Sequence, residues 1–344
     1  MRDRATLRGH AATVVAALAL LGAAAGCGAQ KTTATATATP RATTTAGSTA
    51  APSADTTASP AGGHPHILVI MDENNGYAAT LGSCGGGSPD PYLCSLASEY
   101  ASATDWYAVE HPSLPNYIDS ISGSDQGCTS DTCVGAGTYS AEDLGGQLTA
   151  AGIPWTGFME SMPSPCYTGA TSGDDSTGAY ALKHDPFAVF DDNLSGACHI
   201  LPYPGAAGLV SALDGANAPD FVWITPNLCD DGHDDCGPGN VQQTDAWLNT
   251  NLPGVLSSSW FHDSGTVILT LDENDDQPDD SCCGDAAGGQ VPEVVISSAA
   301  TGLGDVALTG DHFGTLRTIE EAYGLPLLGA ADLPANGDLT ALLG

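Results

Sequence analysis

Positive charge is nearly missing from this chain. Its 344 residues carry 7 Lys+Arg against 41 Asp+Glu, a formal net charge of −34 at pH 7. Arg2, Arg4, Arg8, Lys31 and Arg41 all precede residue 64, so only Lys183 and Arg317 remain for the rest. A basic face for nucleic acid is thereby excluded, because such faces work by neutralising phosphates. The shortage also constrains any anionic small substrate. Its charge must be met by a metal ion, histidines or helix N-termini rather than by arginines. Most of the carboxylates need no reading beyond a solvated surface.

Other absences narrow the field. No G-x-S-x-G elbow occurs, which disfavours a serine hydrolase of the α/β type. Paired C-x-x-C spacing is missing, so a zinc cluster has no support. The one long apolar run, "AATVVAALALLGAAAG" at 11–26, is too short to span a bilayer comfortably. It follows the basic "MRDRATLRGH" and ends in small residues before Cys27, the shape of a lipoprotein signal over residues 1–27. An ordinary secretory signal cut near the same place is the alternative. Residues 28–63, almost all Thr, Ala, Ser, Pro and Gly, have too little apolar surface to offset ordering and read as a tether. The folded domain is expected over 64–344. Export to the cell surface or beyond follows, with membrane contact only through a lipid on Cys27.

Setting Cys27 aside, 11 cysteines become ten, and an even number in an exported chain argues for disulfides. Local pairing suggests 84–94, 128–133, 166–198 and 229–236, with the adjacent Cys282 and Cys283 unassigned.

What is present is a regular alternation. Short apolar runs at 66–71, 104–109, 153–159, 220–225, 266–271 and 292–297 read as buried strands. Amphipathic stretches at 91–101, 141–152, 206–215, 241–256 and 314–324 read as helices between them. The pattern predicts an α/β fold: a three-layer α/β/α sandwich around a mostly parallel sheet. Ligands in such folds bind beyond the carboxyl ends of the strands. Three strand ends then deliver Glu73, Asn74, Asn227, Asp230, Asp231, His233, Asp272 and Glu273 to one edge. Oxygen donors suit a hard divalent ion, and histidine shifts the preference toward transition metals. A calcium loop of the EF-hand kind at 272–283 fails, with Gln277 at its sixth position and Cys283 at its twelfth.

One further stretch stands out, "EHPSLPNYIDSISG" at 110–123. Pro112 and Pro115 shape a stiff turn around Ser113, which is placed either to act or to cap the helix that follows. His111 reads as structural, although its nearness to Ser113 keeps it a candidate.

Together, "MDENNGY", "YAVEHPSLPNYIDSISG", "ALKHDPF", "ITPNLCDDGHD", "LTLDENDD" and "GDHFGTLRTIEEAYGLP" resemble, in order, the phosphoesterase family of acid phosphatases and bacterial phospholipases C. That family lies in the alkaline-phosphatase-like superfamily. The resemblance implies a divalent metal ion held by Glu73, Asn74, Asp272 and Glu273. It implies Ser113 as nucleophile, with Asn116, His184, His233 and His312 contacting the phosphoryl group. The expected activity is a metal-dependent acid phosphatase acting on small phosphomonoesters through a phosphoserine. Phospholipase C or another phosphodiesterase is the alternative, and a non-catalytic acidic metal- or phosphate-binding surface lipoprotein is the third. A sulfatase is disfavoured, since "SLPNY" has Tyr117 where that signature needs Arg. Two imidazolium donors in a site without lysine or arginine would predict an acidic optimum.

Overall fold

A computed structural model describes residues 63–133, 135–274, 281–283 and 286–343. The signal peptide, Cys27 and the tether expected before residue 63 lie outside the described residues, as do Asp275, Asp276, Asp279 and Asp280. All that is described belongs to one compact unit, Ala58–Gly344.

The predicted alternation is present. In chain order the strands are β1 (His66–Asp72), β2 (Ala101–Tyr107), β3 (Trp155–Met159), β4 (Thr171–Ser172), β5 (Tyr180–Ala181), β6 (Ile200–Pro202), β7 (Phe221–Thr225), β8 (Gly265–Leu271), β9 (Glu293–Ser297) and β10 (Gly304–Asp311). The helices are α1 (Pro91–Glu99), α2 (Ser113–Ser122), α3 (Leu144–Ala151), α4 (Gly205–Leu213), α5 (Asn240–Leu256), α6 (Ser259–His262), α7 (His312–Tyr323) and α8 (Thr340–Leu343). Strands β4 and β5 form a small hairpin of their own, and the remaining eight make one sheet in the order β10-β2-β9-β8-β1-β7-β3-β6.

Within this sheet β9 alone runs antiparallel to its neighbours, β2 and β8. The carboxyl ends of the others therefore share one rim. The strands are apolar because both faces are covered: Ile67 through Met71 and Val267 through Leu269 are all buried. One group of touching helices contains α1, α4, α5 and α6, and another contains α2, α3, α7 and α8. The fold is thus the expected α/β/α sandwich with a mostly parallel sheet. Deleting a large core side chain such as Ile70 should cost about 2–5 kcal/mol.

Five disulfides are formed: Cys84–Cys94, Cys128–Cys133, Cys166–Cys198, Cys229–Cys236 and the adjacent Cys282–Cys283. The four expected pairs are correct, and the two cysteines left unassigned bond to each other. Such a set belongs to an oxidising compartment outside the cytosol. Among the described residues no helix is long and apolar enough to cross a membrane.

Candidate active site

The rim is built by turns that leave four strands. After β1 the chain kinks at Asn74, whose φ of +43° lies in the left-handed region that asparagine tolerates. That kink lets the Asn74 amide N–H donate to Asp272 Oδ1 at 3.0 Å, tying the exits of β1 and β8 together. After β2, residues 108–112 turn into α2. The side chain of Asn116 holds this turn: its Oδ1 accepts from the amides of Val109 and Glu110, both at 3.0 Å, and its Nδ2 donates to the Glu110 carbonyl at 2.6 Å.

Ser113 is the first residue of α2, and its own side chain does not cap the helix. Its hydroxyl instead enters a nest of acidic groups. Ser113 Oγ lies 3.0 Å from Glu73 Oε2, 3.1 Å from Glu273 Oε1 and 3.4 Å from Asn74 Oδ1. Ser113, Glu73, Asp272 and Glu273 are all buried. Carboxylates this close and this dry resist ionisation. Burial, opposed by Lys183, pushes Glu73 up to about 8. Burial and then the charges of Glu73 and Glu273 hold Asp272 well above the usual range.

His184 closes one side. It ends a single 3-10 turn, Leu182–His184, and stacks on Tyr117 with ring centroids 5.3 Å apart. Its Nδ1 is 3.1 Å from Asp231 Oδ2 and its Nε2 is 2.9 Å from Glu73 Oε1. The second contact is not a hydrogen bond, for both atoms are buried without one. Burial pushes the His184 imidazole down to about 4. His233 sits on the turn after β7, where its Nδ1 meets Asp234 Oδ1 at 2.8 Å and its ring lies 5.4 Å from that of His184. One ligand atom each from Glu73, His184 and His233 fall within 4.8 Å of one another, a possible metal-binding triad.

Two expectations are corrected. The site does contain a lysine: Lys183 Nζ lies 2.9 Å from His233 Nε2 and 3.2 Å from Asp131 Oδ2. Asp131 Oδ1 in turn accepts from the Leu114 amide, so the ammonium is moored at the start of α2. The expected pair of imidazolium donors also fails, because burial favours a neutral His184. Nothing in "ALKHDPF" alone shows which way the Lys183 side chain turns, and its link to Asp131 exists only in the fold.

Other expected residues occupy supporting positions. Asn116 spends the contacts above on backbone. His312 is the first residue of α7, whose N-cap Asp311 accepts from the Phe313 and Gly314 amides. Its Nε2 donates to the Asp272 carbonyl at 2.7 Å, behind the acidic cluster, and burial pushes it down to about 4. Asn227 and Asp230 hydrogen-bond each other in the turn after β7. His111 Nδ1 contacts Glu273 Oε2, nearer the centre than a purely structural residue need be.

Matches to known proteins identify the family and the fold. A family model described as Phosphoesterase family matches residues 87–326. A phosphatidylinositol-3-phosphatase of Mycobacterium tuberculosis is 31% identical over 274 residues, covering 77% of this chain and 79% of the relative. A probable acid phosphatase of Kluyveromyces lactis is 26% identical over 78% of this chain, and an acid phosphatase of Aspergillus fumigatus 26% identical over 70%. The chain spans only 61% and 52% of those two fungal relatives. Among solved structures, a protein of the alkaline phosphatase superfamily from Vibrio parahaemolyticus aligns with a TM-score of 0.51 at 14% identity, over 79% of this chain and 71% of its own. The lipoteichoic acid synthase LtaP of Listeria monocytogenes aligns with a TM-score of 0.51 at 13% identity, over 80% and 76%. At such identities these structures speak for the fold alone.

Proposed function

The chain belongs to the phosphoesterase family, and from that membership we propose that it is a metal-dependent acid phosphatase using Ser113 as its nucleophile. The observation that carries the reading is the Ser113 hydroxyl within 3.0–3.4 Å of Glu73, Glu273 and Asn74. A serine alcohol is a weak nucleophile at its ordinary pKa and needs a base or a metal beside it.

The residues fit a metal ion. Glu73 Oε1 and Asp272 Oδ2 are buried with no hydrogen bond, although each is a strong acceptor. Carboxylate, amide-oxygen and imidazole donors together suit a divalent cation. Glu73, Asn74, Asp272 and Glu273 would hold it. Bound there, such an ion lowers the pKa of a neighbouring alcohol and offsets phosphoryl charge.

The chain's own groups supply the rest. Ser113 Oγ forms a bond to phosphorus as the bond from phosphorus to the departing alcohol breaks, leaving a phosphoserine. Water then attacks that phosphorus, releases inorganic phosphate and restores the hydroxyl. Glu73 Oε2 and Glu273 Oε1 both lie within hydrogen-bond reach of Ser113 Oγ, so either can accept its proton. Lys183, moored through Asp131 to the first turn of α2, would supply positive charge to the equatorial oxygens. His184 and His233 line the same side as further phosphoryl contacts or metal ligands. His312 and Asn116 hold backbone, and so act as positioning residues.

The substrate class is a small phosphomonoester. Similarity to a phosphatidylinositol-3-phosphatase makes a phosphoinositide the second substrate to assay. Residues 1–27 as a lipoprotein signal, 28–63 as a tether and 64–344 as the catalytic domain complete the reading. The five disulfides support export, and loss of membrane association in Cys27→Ala would test the anchor.

The deciding experiment compares Ser113→Ala with wild type on p-nitrophenyl phosphate, its bis-ester, phosphatidylcholine and phosphatidylinositol 3-phosphate. Monoester turnover should fall at least ~10³-fold in the variant, with metal content unchanged. Surviving turnover would remove Ser113 from the mechanism, and preference for the bis-ester or phosphatidylcholine would make the enzyme a phosphodiesterase.

A further inference from the structure

Tyr117 stands one turn after Ser113 on α2. Residues four apart share a helix face, so the phenol lies on the same side of α2 as the Ser113 hydroxyl. Tyr117 is 0% exposed, and its hydroxyl is buried without a hydrogen bond of ordinary geometry. A buried tyrosine normally finds a partner for its O–H, so an idle one points to a task beyond packing.

Its two neighbours show what that task is. The ring lies flat against His184, with centroids 5.3 Å apart and planes 12° from parallel. The hydroxyl reaches Glu73: burial raises that carboxyl, and Lys183, then Tyr117 and Ser113, pull it back. Tyr117 thus meets both members of an awkward pair. His184 Nδ1 is engaged by Asp231 Oδ2 at 3.1 Å, which leaves Nε2 facing Glu73 Oε1 at 2.9 Å. Neither of those two atoms has a hydrogen bond. A neutral imidazole that donates from Nδ1 presents a lone pair at Nε2, so two acceptors confront each other. Such a pair keeps its geometry only when the groups around it hold both members in place.

We propose that Tyr117 is a positioning residue for the phosphatase reaction, its ring fixing the plane of His184 and its hydroxyl the orientation of Glu73. This role rests on Glu73 as a ligand of the proposed metal. Glu73 has two duties, Oε2 toward Ser113 at 3.0 Å and Oε1 toward His184, and rotation of its carboxylate would spoil both. A phenol poised beside that carboxylate and committed to no other acceptor restrains the rotation. Groups one step behind a metal ligand commonly change metal affinity or activity by about 10–100-fold when removed.

Tyr117→Phe removes only the hydroxyl, and Tyr117→Leu removes the ring as well. Each full chain, stripped with chelator, is titrated with zinc and with manganese beside wild type and Asp272→Asn, bound metal being read by equilibrium dialysis. Turnover of p-nitrophenyl phosphate, thermal unfolding and the nitrogen NMR signals of the His184 imidazole complete the comparison. Because the hydroxyl closes no hydrogen bond, a merely structural Tyr117 predicts wild-type affinity and turnover in the Phe variant, with Tm unchanged or raised. The positioning role predicts about tenfold weaker metal binding and about tenfold lower kcat, with KM moving less and Tm held. Tyr117→Leu should in addition displace the His184 signals, which Tyr117→Phe leaves in place. Wild-type metal affinity or unchanged kcat in Tyr117→Phe would overturn the proposal, and His184 signals unmoved in Tyr117→Leu would overturn the part given to the ring. If Asp272→Asn loses its metal in the same series, such a failure belongs to Tyr117 alone; if Asp272→Asn keeps it, the metal site itself falls. Should Tyr117→Leu not fold, Tyr117→Phe decides.

Discussion

Two regions bury carboxyl groups in quite different company. Glu293, at the start of β9, stands among hydroxyls: Thr315 Oγ1 donates to its Oε1 at 2.9 Å and itself accepts from Trp106 Nε1 at 3.1 Å. Burial lifts Glu293 to about 8, with Thr270 and Thr315 pulling the other way and no second carboxylate involved. At the rim, by contrast, Glu73, Asp272 and Glu273 crowd around one alcohol, and Asp272 is raised by the charges of the other two as well as by burial. A solitary buried acid is accommodated by one proton. Several acids converging on a hydroxyl are not, because each proton added would also discard the charge that makes them useful. Glu293, with a hydroxyl donor on one oxygen and no second carboxylate beside it, thus reads as architecture, and several acids converging on one hydroxyl read as a place for a cation.

The largest test of this contrast is to disarm the cluster. Asp272→Asn should lower phosphatase turnover by at least ~10³-fold and reduce bound metal, measured by elemental analysis beside the assay. The equivalent change at Glu293 should leave the metal content alone. If both variants kept their metal and their turnover, the distinction between the two regions would collapse. Lys183→Met comes next. Removing one positioned donor from a dry site typically costs about 10²–10³-fold, so kcat/KM should fall by about 10²-fold while metal stays bound. Inhibition by inorganic phosphate should weaken in parallel, and Lys183→Arg should recover part of both.

The sequence reveals more of the fold than of the site. Continuous apolar runs expose β1, β7 and β8 because those strands are buried on both faces. The same criterion passes over β10, whose residues alternate between half-buried and exposed until Gly310, as suits a strand at the sheet's edge. At the rim, "DEN" and "DEND" after apolar runs are legible because strand ends in such sheets face ligand. Roles are harder to see. His312 and Asn116 carry the same side-chain chemistry as a phosphoryl contact, and only their partners, the Asp272 carbonyl and the backbone of 109–112, show that they hold structure. Lys183 belongs to the site through Asp131, a long-range pairing that no local pattern encodes.

A middle-sized effect separates holding from reacting. Asn116→Ala leaves the buried amides of Val109 and Glu110 without their acceptor, so it should destabilise the fold by about 1–3 kcal/mol in a urea titration. Turnover should drop through misplacement of Ser113, with KM moving less than kcat. Wild-type stability with lost turnover would instead make Asn116 a direct contact.

The smallest expected effect lies on the other side of the comparison, at Glu293. Its carboxyl is raised in the folded state to about 8 from an ordinary value near 4.5. Between those values the folded protein holds a proton that the unfolded chain has released, so its stability contribution is complete below about 4.5 and disappears as pH rises through about 8. Asp185 and Asp143, raised by burial to about 7 and about 6, act in the same sense. The domain should therefore unfold at higher temperature at pH 5 than at pH 8. Glu293→Gln mimics the protonated form at every pH. It should be near neutral at pH 5 and should stabilise relative to wild type at pH 8, by on the order of a few kcal/mol at most. Parallel curves of Tm against pH for the two proteins would mean that Glu293 stays ionised when folded, and that hydroxyl partners suffice to keep a buried charge.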